Sequence, residues 1–303
     1  MIRYIDQGKQ GDNRVLRYVL TLSLIFVVYV IGSLGLFVDY NLNVDGDGAS
    51  GQVMSQFTSV LGENRVLVWL MLPFLLVFGV FLFAIKYIHK RTIKSIFTAR
   101  DSFDWRRVFI SFALIVFVLS VTTFFEIFYS NTYVWNFDFS KFTALVVIAL
   151  LMIPIQTTIE ELIFRGYLMQ GLKMKMGSSK HAVILSGIMF GLMHIGNPEI
   201  EAIGSHVLIY YVVSGVFLGA LALYDNGLEL SIGYHAANNI FAALMVSNDW
   251  QVFQTNALYI NTSPPDLGWM ELLISLLFFP ILFLIYKKIF KWTSLKETWN
   301  HQD

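Results

Sequence analysis

Long apolar stretches without a charged residue dominate this chain of 303 residues, in which 56% of the residues are hydrophobic and 14% are charged. A soluble domain carries about 25% charged residues, whereas a membrane-spanning helix needs about 20 apolar residues in a row. Eight stretches are candidates for such helices, at residues 18–38, 66–85, 108–125, 142–159, 182–195, 203–224, 230–246 and 272–286. The fifth and the eighth are short, and each becomes a full span only with a few flanking residues. We predict an all-α, polytopic membrane protein with about eight transmembrane helices.

No repeat, linker or soluble domain separates these stretches, and we predict one transmembrane domain over residues 1–303. The longest polar segment, residues 39–64, is rich in Gly, Asp, Ser and Asn, and we expect it to form an outer loop. The first apolar stretch is longer than the roughly 7–15 residues of a signal-peptide core, so we expect it to remain in the mature protein. The absence of cysteine excludes disulfides, a thiol nucleophile and a Cys-ligated zinc site.

The positions of Lys and Arg predict the orientation of the chain in the membrane. Nineteen of the 21 basic residues lie in four segments, residues 1–17, 86–107, 165–180 and 287–303. The other two, Arg65 and Lys141, lie in intervening connections. Because cytoplasmic loops carry an excess of basic residues, we predict a multi-pass protein of the cell (plasma) membrane with both termini in the cytoplasm. The net charge of zero gives no indication of a nucleic-acid partner, and the lipid bilayer is the expected surrounding.

A cluster of charged residues ends the fourth apolar stretch. Glu161 and Arg165 are four residues apart with the acid first, which favours an ion pair on a helix, and inside a membrane such pairing is nearly obligatory. Glu160 points about 100° away on a regular helix, so its carboxylate stays free to act on water. The alternative is that these side chains lie at a cytoplasmic helix end and reach the aqueous phase.

A helical hairpin would bring His194 opposite Glu160. Each of the two residues is 17 positions from Gly177, which lies in a polar turn, so in an antiparallel hairpin they share a depth about 20 Å beyond that turn. A lone buried histidine is more often a packed residue, but a glutamate at the same depth favours a catalytic pair. Phe190 lies one turn before His194, where it serves either as an ordinary packing residue or as a shield that limits access of water to the imidazole.

A third pair of polar residues, His235 and Asn239, lies in the seventh apolar stretch. They are four positions apart and therefore share one face of a helix. The amide of Asn239 is suited to donate to an oxyanion, as side-chain amides do in hydrolases. The alternative is a hydrogen bond between helices, which is common for Asn in membranes.

Three other chemistries for hydrolysis inside a membrane lack their motifs in this chain. The His-Glu-x-x-His helix of metalloproteases is absent. No Gly-x-Ser-Gly segment occurs, and Tyr224-Asp225 has no Gly-x-Gly-Asp partner, which disfavours serine and aspartyl intramembrane proteases. Glutamate together with histidine remains, and both residue types can activate water.

The three motifs resemble, in the same order, those of the CPBP family: Glu160-Glu161-x-x-x-Arg165, Phe190-x-x-x-His194 and His235-x-x-x-Asn239. This family contains the CAAX-type prenyl endopeptidases and the bacteriocin-processing or immunity (Abi) proteins. The resemblance covers residues 142–247, which we predict to be the catalytic core. It implies an intramembrane endopeptidase, and the short loops are similar to those of bacterial members.

The resemblance also implies a role for each motif residue. Glu160 and His194 would activate the attacking water, and His235 and Asn239 would stabilise the tetrahedral oxyanion. Supporting roles are implied for Glu161, Arg165 and Phe190. The expected cofactor is either none or zinc, because Glu160, His194 and His235 could also form a zinc site with one open position for water. The expected substrate is a peptide or a membrane-associated protein.

Two further readings of the same residues stay open. Buried Glu, Arg and His side chains also form proton relays in membrane transporters, although the chain has no repeat of two halves with broken helices. A catalytically silent immunity or scaffold protein of the same family is the other alternative. The intact motif residues argue against a loss of activity.

Overall fold

The computed structural model describes residues 2–44 and 54–292 and is almost entirely helical over them. A 3₁₀ helix, Tyr4–Lys9, precedes the α-helices, and π-helical segments, Ala84–Ile88 and Leu162–Leu168, directly follow α3 and α6. The α-helices are α1 (Val15–Asn43), α2 (Met54–Leu61), α3 (Glu63–Phe83), α4 (Lys94–Phe97), α5 (Trp105–Tyr129), α6 (Phe139–Glu161), α7 (Met169–Met176), α8 (Ser179–Leu192), α9 (Pro198–Ile203), α10 (Val207–Asp225), α11 (Glu229–Met245) and α12 (Trp269–Phe290). The strands are β1 (Tyr133–Trp135), β2 (Val246–Ser247) and β3 (Tyr259–Asn261). The predicted all-α, polytopic membrane fold is confirmed.

Six helical stretches in the described part of the chain are long and apolar enough to cross a membrane, so the predicted number of eight is not confirmed. The difference lies in α8 and α11, which have 14 and 17 residues. Helix α8 ends at Leu192, three residues before the predicted end of the fifth stretch. A turn that contains Gly196 follows, and Pro198 holds the preceding Asn197 in an extended conformation, which prevents the helix from continuing.

Segments that are distant in sequence meet on one face of the molecule. The hydroxyl of Tyr4 donates to the carbonyl of Ile96 (2.7 Å), and the Tyr4 backbone N–H donates to Asn226 Oδ1 (3.2 Å). Arg100 pairs with Asp225 (3.0 Å) and with Glu229 (2.9 Å). The turn between α10 and α11 has no basic residue of its own, but these contacts hold it against the basic segments 1–17 and 86–107.

The opposite face contains the short sheet and the residues predicted to form the outer loop. Strand β3 is central, antiparallel to β1 and parallel to β2. The predicted loop, residues 39–64, is partly helical, because α1 continues to Asn43 and α2 occupies Met54–Leu61. Residues 45–53 of that predicted loop lie outside the described residues. Thr58 of α2 donates to Gln254 (3.1 Å), which ties this region to the segment that follows β2.

Glycine residues allow helices α8 and α10 to touch backbone to backbone. A Cβ atom on Gly187 would lie 2.6 Å from the backbone nitrogen of Val216, and one on Gly215 would lie 2.7 Å from the carbonyl oxygen of Gly187. Small residues let membrane helices approach closely in this way. At the start of α8, Gly177 adopts a left-handed conformation (φ 72°) and closes the predicted turn between α7 and α8.

Candidate active site

The first motif lies where α6 changes from an α-helix to a π-helix. Arg165 Nη1 donates to Glu161 Oε1 (2.8 Å), and both side chains are fully buried. Arg165 Nη2 donates to the carbonyl of Gly215 on α10 (3.1 Å), and its guanidinium lies 4.2 Å from the centre of the Phe190 ring. Single π-helical turns often occur at functional sites. Here the segment connects one buried arginine to a carboxylate, a backbone carbonyl and an aromatic ring.

Helix α11 brings His235 between the two adjacent carboxylates. Its Nδ1 lies 2.8 Å from Glu161 Oε1, and its Nε2 lies 3.6 Å from Glu160 Oε2. A carboxylate oxygen can only accept, so Nδ1 is the protonated nitrogen when Glu161 is ionised. The Nε2 atom is left to face Glu160. The first and third motifs therefore form one hydrogen-bonded unit.

The two glutamates have different surroundings. Glu161 is fully buried and interacts with two cationic or donor groups, Arg165 and His235. The side chain of Glu160 keeps 16% of its surface exposed. One of its oxygens accepts from Gln156 Nε2 (2.6 Å), and the other faces His235. Glu161 is thus the carboxylate paired with Arg165, and Glu160 is the more exposed of the two.

An amide network that the motifs did not reveal joins Glu160 to Asn239. Gln156 donates to Glu160 and accepts from Asn239 Nδ2 (3.2 Å). Asn238 Nδ2 donates to Asn239 Oδ1 (3.2 Å), which fixes the direction of the Asn239 amide. Because an amide nitrogen carries two hydrogens, Asn239 keeps one N–H for another acceptor. Gln156 lies one helical turn before Glu160, and that spacing is the sequence signal that could have identified it.

The imidazole of His194 lies just beyond the end of α8, between two aromatic rings. Its Nδ1 lies 2.9 Å from the carbonyl oxygen of Phe190, so Nδ1 donates and Nε2 is free of a proton in the neutral ring. The Phe190 ring is 4.7 Å away, centre to centre, and Tyr211 of α10 is stacked at 4.1 Å with an angle of 18°. The sequence carries no signal for Tyr211, because it lies on another helix and outside all three motifs.

The structure thus brings the seven predicted site residues into one region. Glu160, Glu161, Arg165 and His235 are in direct contact, and Asn239 is connected to Glu160 through one amide. The Phe190 ring lies beside both imidazoles, with its centre 4.7 Å from that of His194 and 5.9 Å from that of His235.

The three candidate metal ligands do not fit a zinc site. Zinc needs three protein ligands within about 2.0–2.2 Å of one point. No group of three or more His, Asp or Glu side chains in the described part of the chain could hold a metal ion in this way. Glu160 and His235 face one another, but His194 does not join them. The chemistry is therefore derived from the side chains alone.

Two comparisons with known proteins agree with the motifs. Residues 140–241 match the family model described as type II CAAX prenyl endopeptidase Rce1-like, and all three motifs lie inside the match. The "Uncharacterized protein YyaK" of Bacillus subtilis (strain 168) is 28% identical over 256 residues, which is 80% of this chain and 82% of that protein. No solved structure matches significantly. The resemblance predicted from the motifs is confirmed over residues 140–241, which match the Rce1-like model.

Proposed function

We propose that this protein is an intramembrane endopeptidase that hydrolyses a peptide bond of a peptide or membrane-associated protein with a water activated by Glu160 and His194. One observation carries the proposal. Two adjacent glutamates are treated unequally, because Glu161 is enclosed by Arg165 and His235 while Glu160 is partly exposed. A structural pair of carboxylates would need no such difference, whereas a general base must reach its water. The family match supports a peptidase in general.

The reaction begins with a water molecule between Glu160 and the unprotonated Nε2 of His194. Glu160 removes a proton as the water oxygen bonds to the carbonyl carbon of the substrate. The carbonyl oxygen becomes an oxyanion, which accepts hydrogen bonds from His235 Nε2–H and Asn239 Nδ2–H. The tetrahedral intermediate then collapses, the C–N bond breaks, and Glu160 returns its proton to the leaving nitrogen.

Charge balance favours this role for His235. Glu160 and Glu161 carry two negative charges, and Arg165 carries one positive charge. When His235 holds a proton on each nitrogen, the four side chains are neutral together, which lowers the cost of placing them within a membrane. The same state gives Nδ1–H to Glu161 (2.8 Å) and leaves Nε2–H for the oxyanion.

Peptide cleavage by the purified protein tests the proposal. Wild-type protein in lipid nanodiscs is incubated with a peptide library and with transmembrane peptides, beside Glu160→Gln and the control Glu201→Gln, which changes an exposed glutamate outside the site. We expect wild type and Glu201→Gln to cleave the same peptides and Glu160→Gln to cleave none. Cleavage by all three proteins would contradict the role of Glu160. Proton-coupled uptake into vesicles without cleavage would favour a transporter, and neither activity would favour a silent family member.

A further inference from the structure

We infer that Tyr211, anchored by Glu199, is a positioning residue that holds the catalytic imidazole of His194; the inference rests on the proposed function. Neither residue belongs to the three motifs. Tyr211 lies on α10 and Glu199 on α9, after the end of α8. Tyr211 therefore reaches His194 from outside the hairpin that carries the first two motifs, and Glu199 acts through Tyr211.

The surroundings of the His194 ring restrict its orientation. His194 follows the last residue of α8 by two positions, so helix hydrogen bonding alone does not hold its side chain. Two contacts restrict the ring, a hydrogen bond from Nδ1 to the Phe190 carbonyl (2.9 Å) and a nearly parallel stack on Tyr211 (4.1 Å, 18°). The hydrogen bond selects which nitrogen is protonated. The stacking on Tyr211 fixes the plane of the imidazole ring, and with it the direction in which the unprotonated Nε2 points.

Tyr211 is itself held in place by a hydrogen bond. Its hydroxyl donates to Glu199 Oε1 (2.5 Å), a charge-assisted hydrogen bond at the short end of the usual range. Glu199 is itself buried. It accepts from Asn197 Nδ2 (3.0 Å) and from the backbone N–H of Val252 (3.2 Å). Tyr211 is thus connected to the polar segment that follows β2.

The orientation of the His194 ring matters for catalysis. A general base or water-orienting group must be held in line with its water, and a displacement of about 1 Å costs on the order of 100-fold in rate. Loss of the Tyr211 ring would let the His194 imidazole turn about its side-chain bonds. The rate of the chemical step should then fall, while binding of the substrate should change little.

Substitutions at Tyr211 are compared with the same substitutions at Tyr210. Tyr210 is the neighbouring residue on α10, but it packs on Phe279 (ring centres 5.5 Å apart) and not on His194. We expect Tyr211→Leu to lower kcat at least tenfold, with KM within about twofold, and Tyr211→Phe to recover only part of the rate, because the ring remains but its hydrogen bond to Glu199 is lost. Tyr210→Leu and Tyr210→Phe should leave kcat unchanged.

A spectroscopic measurement separates this inference from the proposed function. The chain has six histidines, so ¹⁵N-histidine-labelled protein in lipid bilayers gives few ring-nitrogen resonances, and His194→Gln assigns those of His194. Wild type should show Nδ1 protonated and Nε2 unprotonated. Tyr211→Leu should shift or broaden both resonances, and Tyr210→Leu should not.

The outcomes divide as follows. Slow turnover in Tyr211→Leu, partial recovery in Tyr211→Phe and altered His194 resonances support the positioning role. Equal effects at Tyr210 and Tyr211, or His194 resonances unchanged in Tyr211→Leu, overturn it. If Glu160→Gln remains active but the His194 resonances respond to Tyr211→Leu, the glutamate mechanism fails while the contact between Tyr211 and His194 stands.

Discussion

Glu161 Oε1 lies 2.8 Å from His235 Nδ1, and the same oxygen lies 2.8 Å from Arg165 Nη1. One carboxylate oxygen therefore connects a helix end on α6 to the middle of α11. Both Glu161 and Arg165 are inaccessible to solvent. In such surroundings the removal of one charge leaves the others without compensation.

Glu161→Gln should destabilise the protein. The substitution keeps the shape of the side chain but leaves the buried Arg165 without its counter-ion, and breaking a buried pair in this way costs about 3–5 kcal/mol. Thermal unfolding in detergent should show a clear decrease of the unfolding temperature. Addition of Arg165→Met to Glu161→Gln should recover part of the loss, because the double variant removes both charges. Glu201→Gln, on an exposed side chain, should unfold like wild type.

Part of this arrangement follows from sequence spacing. The contact between Glu161 and Arg165 follows because residues four apart meet on a helix, and it survives the change to π-helical geometry. The turn at Gly177 follows from a polar, glycine-containing segment between two apolar stretches. Periodicity and spacing predict contacts within one helix and the position of a short turn, and they succeed there.

Contacts between distant helices do not follow from spacing. The stack of Tyr211 on His194 depends on the close packing of α8 and α10 at Gly187 and Gly215, and no pattern within one helix encodes it. The length of α8 is a similar case. An apolar stretch indicates that a segment can enter a membrane. It does not indicate that α8 ends at Leu192, beside the candidate active site, with a turn between it and Pro198.

Asn239→Ala should lower kcat by about 10²–10³-fold, as the loss of one oxyanion donor does elsewhere. KM should change little, because the hydrogen bond strengthens only as charge develops in the transition state. Steady-state cleavage of a transmembrane peptide measures both constants. Asn41→Ala changes an exposed asparagine on α1 and serves as the control. Wild-type activity in Asn239→Ala would leave Asn239 as a residue that only bonds to Gln156 (3.2 Å).

Zinc should not be needed for peptide cleavage. His235 already directs Nδ1 to Glu161 (2.8 Å), and its Nε2 faces Glu160 without a third ligand beside them. We expect elemental analysis to find equal, negligible zinc in wild type and His235→Ala, and chelation to leave the wild-type rate unchanged. Stoichiometric zinc that is lost in His235→Ala, with partial recovery of activity in excess zinc, would establish a metal site instead.

Labelling of introduced cysteines should place residues 1–17 and 86–107 on the cytoplasmic side. The natural chain has no cysteine, so each single variant gives one reactive group. Ser59→Cys, on α2, and Asp101→Cys, in the basic segment, both replace exposed residues. A membrane-impermeant maleimide should label Ser59→Cys on intact cells and Asp101→Cys only after permeabilisation. The reverse pattern at both positions would contradict the orientation that the basic residues predict.

Acidification should destabilise the protein through His89, which lies just outside the membrane-spanning part of α3 and its π-helical extension. Its ring is inaccessible to solvent, and its Nε2 is 2.7 Å from the Tyr167 hydroxyl. Burial, with the charge of nearby Arg91 as a second cause, lowers the pKa of His89 below its ordinary value. Below about pH 6.5 the unfolded chain binds a proton at this residue before the folded protein does, so stability falls as the pH decreases.

The thermal unfolding temperature of wild type should therefore decrease from about pH 8 to about pH 5, the range in which an ordinary histidine changes its charge. His89→Gln removes the titrating group, and its unfolding temperature should decrease less over the same range, even if it begins lower because the contact with Tyr167 has changed. His181→Gln changes an exposed histidine and should follow wild type. Parallel curves for wild type and His89→Gln would show that this buried imidazole does not couple folding to pH.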